Sequence, residues 1–174
     1  MATRTTARSK ARKRALDVLF AAELRSETPL ETLGHFVTDG NAPTNPYSET
    51  LVRGVVEMQA RIDELLTRHS RGWSLARMPA VDRNVLRLAV YELIAVDDVP
   101  DAVALSEAVA LVRDLSTDES PPFVNGVLAS VAEELAAVGG TSAGTTDDEP
   151  GDAPGDAPGD TDSPVVPEAG APND

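Results

Sequence analysis

The chain contains no cysteine, few aromatic residues and no long apolar run. The absence of cysteine excludes disulfide bonds and thiolate metal sites, and is compatible with a cytosolic protein. Because aromatic residues make up only 3% of the chain, its core must be aliphatic, which favours packed helices over a β-sandwich. No apolar run approaches the roughly 18 residues that cross a bilayer, so we predict no membrane association.

The 174 residues, 41% of them hydrophobic, suffice for one domain with its own core. Asp17 interrupts the apolar segment that follows the basic N-terminus, which argues against a signal peptide. The composition therefore predicts a soluble, cytoplasmic protein.

Charge is segregated along the chain, whose formal net charge is −14. Residues 1–14, the basic arm, contain six basic residues and no acid. Residues 15–138 contain 9 basic and 20 acidic residues, and residues 139–174, the acidic tail, contain nine acids and no base. Such asymmetry indicates separate roles for the two ends of the chain.

The acidic tail begins at Gly139-Gly140 and includes a tandem Gly-Asp-Ala-Pro repeat at 151–160. It is rich in proline and glycine and has too few large apolar residues to offset its ordering entropy, so we predict that it is disordered. Calcium-binding β-roll repeats need paired glycines and a regularly placed apolar residue. Both are missing here, and no metal site is predicted.

Residues 15–138 carry the start signals of several helices. Thr28-Pro29-Leu30-Glu31 predicts an N-cap, a proline at the first helical position and a capping-box acid. Asn45-Pro46 predicts a second start by the same device, and further helices are predicted to begin at Pro100 and at Ser120-Pro121-Pro122. On the helix after Asn45, the pairs Glu57–Arg61 and Glu64–Arg68 have the favourable i,i+4 order.

Apolar stripes with helical spacing mark the predicted core. They comprise Leu16, Leu19, Phe20 and Leu24; Leu51, Val52, Val55, Ile62, Leu65 and Leu66; Leu105, Ala108, Val109, Val112 and Leu115; and Val124, Val127, Leu128, Val131 and Leu135. Residues 81–96 are apolar nearly all round, which indicates a helix in the middle of a bundle. The predicted fold is all-α, a compact bundle of about six or seven helices.

No combination of residues indicates catalysis. His35 and His69 lie on different predicted helices without an HExxH-type partner, and His69 continues an apolar stripe, as a partly buried structural histidine does. Gly54 and Gly126 are isolated glycines in helical patterns, which usually allow two helix backbones to approach closely. We therefore predict neither an enzyme nor a bound cofactor or metal.

Two basic elements point to nucleic acid. The basic arm runs directly into an amphipathic helix, and a flexible basic arm on a fixed base suits a phosphate backbone. The alternative is a charged end that is only solvated. Arg83, Arg87 and Tyr91 form a polar stripe on the otherwise apolar helix, although arginines in bundles also serve to cover apolar surface.

Four segments, in order, resemble the NusB transcription-antitermination family. They are Ala11–Phe20, similar to the opening helix; Ala80–Leu93, similar to the central helix; Val99-Pro100 with Ser106–Val109; and Phe123–Leu128, similar to the start of the last helix. Together they cover roughly residues 4–137, so the resemblance does not include most of the acidic tail.

The resemblance implies two helical sub-bundles and a non-catalytic protein that pairs with NusE, a small-subunit ribosomal protein. The pair binds the boxA element of nascent RNA and supports transcription of ribosomal RNA operons as part of the transcription elongation complex. By position, the residues implied in RNA binding are Arg8, Lys10, Arg12, Lys13, Arg87 and Phe123. Those implied in binding NusE are Asp82 and Glu119, which are acidic against a basic partner.

Three alternatives stay open at this point. Phe123 is either a core residue or a platform on which an unpaired base stacks. The acidic tail either competes with RNA for the basic arm or only solubilises the protein. The whole chain could instead be a NusB-like interaction or homodimerisation module without RNA specificity. A NusB-like domain of an RNA cytosine methyltransferase is disfavoured, because this chain has no cysteine to serve as nucleophile.

Overall fold

The computed structural model describes residues 6–141, and these residues form a helical bundle. The helices are α1 (Ala7–Arg25), α2 (Pro29–Thr38), α3 (Pro46–His69), α4 (Ala80–Ala95), α5 (Asp101–Leu115) and α6 (Ser120–Thr141), with a 3₁₀ turn at Leu75–Arg77. No strand occurs in this described range, and the predicted all-α fold is confirmed. None of these helices combines the length and hydropathy needed to cross a membrane. The predicted disorder of residues 142–174 lies outside the described residues.

The helix starts at Thr28 and Asn45 are confirmed. The backbone N–H of Glu31 donates to Thr28 Oγ1 at 3.3 Å, and the Glu31 carboxylate accepts from the Thr28 backbone at 2.9 Å. This reciprocal pair of bonds is the capping box. Asn45 Oδ1 accepts from the Tyr47 backbone at 2.9 Å, with Pro46 at the first helical position. Both capping interactions join residues only two or three positions apart, so they can be predicted from the sequence.

Helix α1 begins inside the predicted basic arm. Thr6 is its N-cap, with Oγ1 accepting from the backbone N–H of Ser9 at 3.0 Å. Most of the arm is therefore a rigid helix and not a flexible extension. Alanines at positions 7, 11 and 15 favour the helical conformation of this segment, because alanine has the highest helix propensity. At the other end, α6 continues three residues past the predicted boundary at 138.

Helix α4 occupies the middle of the bundle, as its apolar pattern predicts. It packs against α1 and α3 on one side and α5 and α6 on the other, which gives the two sub-bundles α1–α3 and α4–α6. The core between them is aliphatic. Its largest fully buried side chains include Leu51, Ile62, Leu66, Leu86 and Leu128.

Most predicted stripe residues are buried. The predicted burial of Leu24 and Leu115 is wrong, because their exposures are 71% and 39%. Both lie in the last turn of their helices, and periodicity does not tell where a neighbouring helix stops covering a stripe. The Glu64–Arg68 ion pair forms at 2.7 Å. Glu57 and Arg61 do not form the other predicted pair within the described structure.

Gly54 and Gly126, the two glycines predicted to allow close helix packing, behave differently. A Cβ at Gly54 would lie 2.0 Å from Tyr91 Cζ, so α3 accepts the ring of α4 only because residue 54 has no side chain. The predicted close approach is therefore a contact between a backbone and a ring. At Gly126 a Cβ would meet no atom within 4 Å, so the prediction of close packing there is wrong.

Candidate nucleic-acid interface

The first turns of α1 present an exposed basic face, which we define as Lys10, Lys13 and Arg14. Their spacing of three and four residues puts them on one side of the helix. The side chains of Lys10 and Lys13 are exposed and form no hydrogen bond or ion pair with any described residue. Lys10 and Arg14 line a cavity of about 380 Å³, together with residues of the segment from Gly40 to Asn45. Two ammonium groups are thus available to an anion.

Arg14 and Arg8 are oriented by aromatic rings. The Arg14 guanidinium lies 4.6 Å from the centroid of the Phe36 ring, and that of Arg8 lies 4.9 Å from the centroid of Tyr47. Arg8 also forms an exposed ion pair with Asp98. This hydrogen bond raises the pKa of Arg8 and lowers the pKa of Asp98. Exposed pairs of this kind contribute little stability, so a phosphate can compete for Arg8.

Arg12, predicted to bind RNA, is buried instead and has 3% exposure. Its Nε donates to both carboxylate oxygens of Glu92, at 2.9 and 3.0 Å. Tyr47 donates its hydroxyl to the same carboxylate. Burial first, and then this hydrogen bond, raise the pKa of Tyr47. Arg12 therefore has no free surface for RNA; it joins α1 to α4.

A sequence signal for the burial of Arg12 existed. Positions 12, 16 and 19 follow the i, i+4, i+7 spacing of one helix face, so Arg12 extends the apolar stripe of Leu16 and Leu19. A cation on a buried stripe requires an acidic partner. No local pattern identifies that partner as Glu92, which lies 80 residues away.

Arg87, like Arg12, forms ion pairs within the protein. It donates to both carboxylate oxygens of Asp63, at 2.8 and 2.9 Å, and its Nη1 lies 3.2 Å from Glu23. Its side chain is only 14% exposed. Glu23 lies ten residues beyond Lys13 on α1, about 15 Å along the helix. The structure therefore does not bring Arg87 together with the basic face.

Glu23 is shared by Arg87 and Arg83, whose Nη2 lies 2.5 Å from Glu23 Oε2. Burial raises the pKa of Glu23. The hydrogen bond from Arg83 and the charges of both arginines outweigh that effect, and its pKa lies below the usual value. The two arginines of the predicted polar stripe thus belong to an ion-pair cluster that joins α4 to α1 and α3, whereas Tyr91 packs against Gly54.

Phe123 lies at the start of α6 and is half-buried against the core. Its ring centroid is 5.9 Å from that of Trp73, with the planes tilted by 44°. Trp73 is 54% exposed and was missed in the sequence analysis. Its signal was its setting: the chain's only tryptophan stands in a polar turn, Arg71-Gly72-Trp73-Ser74. The Phe123 ring thus packs against the core, and the Trp73 ring beside it is largely exposed to solvent.

Asp82 and Glu119, predicted to bind NusE, lie on a slot of about 150 Å³ whose walls include Trp73, Pro79 and Phe123. Asp82 is buried, with only 3% exposure. Its Oδ2 accepts from Ser120 Oγ at 2.7 Å, whereas its Oδ1 has no hydrogen-bond partner in the described structure. Glu119 is exposed. The slot thus combines aromatic walls, a buried carboxylate and an acidic rim.

Each histidine lies next to a carboxylate. His69 Nε2 is 2.5 Å from Glu134 Oε2, and Arg68 pairs with the same carboxylate. The hydrogen bond with His69 is the main cause of the lowered pKa of Glu134. His35 lies 3.3 Å from Glu27. Within residues 6–141, no group of three or more potential ligands could hold a metal ion.

Similarity to known proteins covers most of the chain. The model of the NusB family matches residues 9–133. Transcription antitermination protein NusB of Nocardioides sp. is 68% identical over 126 residues, which cover 72% of this chain and 93% of that protein. The protein of the same name from Acidothermus cellulolyticus is 56% identical over 132 residues, covering 76% and 91%.

Solved structures agree with these relatives. NusB of T. maritima matches with a TM-score of 0.66 at 35% identity, covering 73% of this chain and 91% of that one. A chain of the crystal structure of antitermination factors NusB and NusE in complex with dsRNA matches with a TM-score of 0.65 at 31% identity, covering 74% and 97%.

Proposed function

The chain belongs to the NusB family, and from this premise we propose that it is a non-catalytic transcription antitermination factor that binds RNA together with NusE. The observation that carries the proposal is the basic face of α1. Lys10 and Lys13 are the only lysines of the chain, and both stand exposed on this face. A protein of net charge −14 that concentrates free cations on one helix face has a local site for phosphate.

In this proposal, Lys10 and Lys13 contact phosphates of the boxA element, and Arg8 joins them when RNA displaces Asp98. Arg14 is already oriented toward the cavity beside Lys10. Arg12 acts indirectly, because its buried bond to Glu92 holds this part of α1 on the bundle. Such phosphate contacts position the RNA, and they carry no sequence information by themselves.

NusE binds at the slot next to the Trp73–Phe123 pair in the same proposal. Glu119 on the rim attracts a basic side chain, and the unpartnered Oδ1 of Asp82 accepts a hydrogen bond from it. Aromatic walls add a favourable contact with a cation. Entry into the transcription elongation complex, in the cytoplasm where RNA is made, then depends on NusE and nascent RNA.

The test of the RNA site removes the two lysines. The variant Lys10→Gln/Lys13→Gln is titrated with boxA RNA, with and without NusE, at several salt concentrations. With about −0.7 per phosphate contact, the slope of log K against log salt should become shallower by roughly 1.4. The control Arg25→Gln/Arg61→Gln removes the same charge from exposed positions elsewhere on α1 and α3, and should leave the slope unchanged.

An independent measurement uses lysine chemistry. Bound RNA should protect both lysine amines from acetylation, as measured site by site by mass spectrometry. If RNA binds and the lysines stay unprotected, the basic face is not the RNA site.

The NusE site is tested by reversing one charge. Glu119→Lys should weaken NusE binding, while the exposed control Glu133→Lys should not. Equal effects of these two reversals would mean that NusE binds elsewhere.

A further inference from the structure

The cavity of about 380 Å³ beside Lys10 and Arg14 is lined by more than the cations of the basic face. We call it the loop cavity, because the segment from Gly40 to Asn45, between α2 and α3, contributes to its lining. Its volume lies within the range of small-ligand pockets, which begins at about 300 Å³. One flat ring system of the size of a nucleic-acid base can therefore enter it.

The loop that lines this cavity is fixed to α1 at both ends. Arg14 donates a hydrogen bond to the backbone carbonyl of Asn41. At the other end of the loop, Asn45 Nδ2 donates to the carbonyl of Ala7 at 3.2 Å. Gly40 supplies the positive φ of 73° with which the loop leaves α2. The cavity is thus formed before any ligand binds, which lowers the cost of ordering its walls.

Two side chains of the loop cavity have unused hydrogen-bonding capacity. Asn41 is exposed, and its side-chain amide forms no hydrogen bond with any described residue. The ammonium of Lys10 is likewise free within the part of the chain that the structure describes. An ammonium only donates, whereas an amide supplies an acceptor oxygen next to a donor group. Because the guanidinium of Arg14 also only donates, the cavity is rich in donors.

The Watson–Crick edge of a keto base complements these groups. Guanine and uracil present a carbonyl oxygen, which accepts, next to a ring N–H, which donates. Adenine and cytosine carry an amino group in place of that carbonyl, and Lys10 has no acceptor to offer it. Lys10 has three donor hydrogens, so it can contact the base and a neighbouring phosphate together. Hydrogen bonds to Lys10 and Asn41 therefore distinguish keto bases from amino bases.

We infer that the loop cavity binds one unpaired guanine or uracil of the RNA, whose carbonyl accepts from Lys10 and whose ring N–H donates to the side-chain oxygen of Asn41. The inference rests on the proposed RNA-binding function and adds the base identity that phosphate contacts do not supply. Unpaired bases are the usual targets of sequence-specific RNA recognition, because their Watson–Crick edges are free. Asn41 is thus a specificity-determining residue beside the basic face.

Two variants test the cavity without changing its charge. Asn41→Ala removes the amide and should keep the thermal stability of the native chain, since this side chain bonds no described residue. Ala42→Leu places a larger side chain at the cavity wall and obstructs it while Asn41 stays in place. Gln59→Ala is the matched control, because Gln59 carries an exposed amide on α3 that bonds no described residue and lies outside the loop cavity.

The readout is the affinity for boxA oligonucleotides in which each keto base in turn is replaced by the amino base of the same ring size, measured by anisotropy of labelled RNA. At one position this exchange should weaken binding to the native chain and to Gln59→Ala by roughly tenfold, within the range of a base-edge contact. Asn41→Ala and Ala42→Leu should remove most of this difference, at that position and at no other. The slope of log K against log salt should stay unchanged in Asn41→Ala, because no phosphate contact is lost.

The results that overturn the inference differ from those that overturn the proposed function. If both variants discriminate between keto and amino bases as the native chain does, the keto-base site is removed and the proposed function stands. An equal loss of affinity for all oligonucleotides in Asn41→Ala also overturns the inference, since the amide then positions RNA without reading a base. If Asn41→Ala lowers thermal stability, discrimination by Ala42→Leu decides alone. Absence of RNA binding by the native chain, with or without NusE, removes both.

Discussion

Arg12 of α1 and Glu92 of α4 form a buried ion pair, with 2.8 Å between Nη2 and Oε1 and with side-chain exposures of 4% and 2%. Because Tyr47 of α3 donates to the same carboxylate, one group joins three helices. Arg12, which the family resemblance implied in RNA binding, is therefore part of the structure that holds α1 in place.

Removal of Arg12 should be strongly destabilising. Arg12→Met leaves the Glu92 carboxylate buried without its cation, which typically costs about 3–5 kcal/mol. The exposed neighbour provides the control: Lys13→Met should change the free energy of unfolding by less than about 0.5 kcal/mol. Urea unfolding measures both. A small loss for Arg12→Met would mean that the pair is not buried in solution. The double variant Arg12→Met/Glu92→Leu should recover part of the loss.

Gly54 should tolerate a side chain only when Tyr91 is shortened. In the native chain, Gly54→Ala forces the Tyr91 ring to move and should cost about 1–3 kcal/mol. In a Tyr91→Ala background the same change should stabilise the protein by roughly 1 kcal/mol, since alanine is the better helix former. This reversal of sign, measured in a double-mutant cycle, is the test. The same sign in both backgrounds would show that the ring does not restrict position 54.

Lowering the pH should remove the contribution of Glu23 to the free energy of unfolding. Its folded-state pKa lies below the usual 4.5, so the folded protein binds this proton less readily than the unfolded chain. The stabilisation is present in full above about pH 4.5, and is lost as the pH falls through the folded-state pKa. Glu23→Gln should therefore destabilise the protein by about 1 kcal/mol at pH 7, a modest value because the side chain is partly exposed. The difference between variant and native should shrink steadily as the pH is lowered below 4.5. The exposed control Glu133→Gln should show no such pH-dependent difference.

Release of Arg8 should strengthen RNA binding. Asp98→Asn removes the partner of Arg8, and at low salt the affinity for boxA RNA should rise by up to about fivefold, the upper value of an exposed pair. Asp97→Asn changes the net charge equally at an exposed position with no ion pair to a described residue. A gain specific to Asp98 supports direct competition for Arg8. Equal gains in affinity for both variants would mean that the change in net charge, and not the release of Arg8, strengthens RNA binding.

Local interactions made much of the fold predictable. The capping box at Thr28 and Glu31 acts across three residues, and the apolar circumference of α4 indicated its central position without any knowledge of its neighbours. The candidate site was predictable in part. Lys10 and Lys13 were identified correctly as exposed cations by the charge of the N-terminal segment, whereas the Thr6 cap that turns this segment into helix was overlooked.

The helices and the aliphatic core were predictable from sequence, because capping and periodicity depend on residues a few positions apart, and the four motif segments indicated the family. Tertiary structure decided the role of each charged residue. Arg12 and Asp82 carry the same charges as Lys13 and Glu119, yet the first two are buried on Glu92 and Ser120 and the last two face solvent. Burial of a charge depends on a partner at the right distance in space, here 80 and 38 residues along the chain, and only the packing of α1, α4 and α6 brings those partners together.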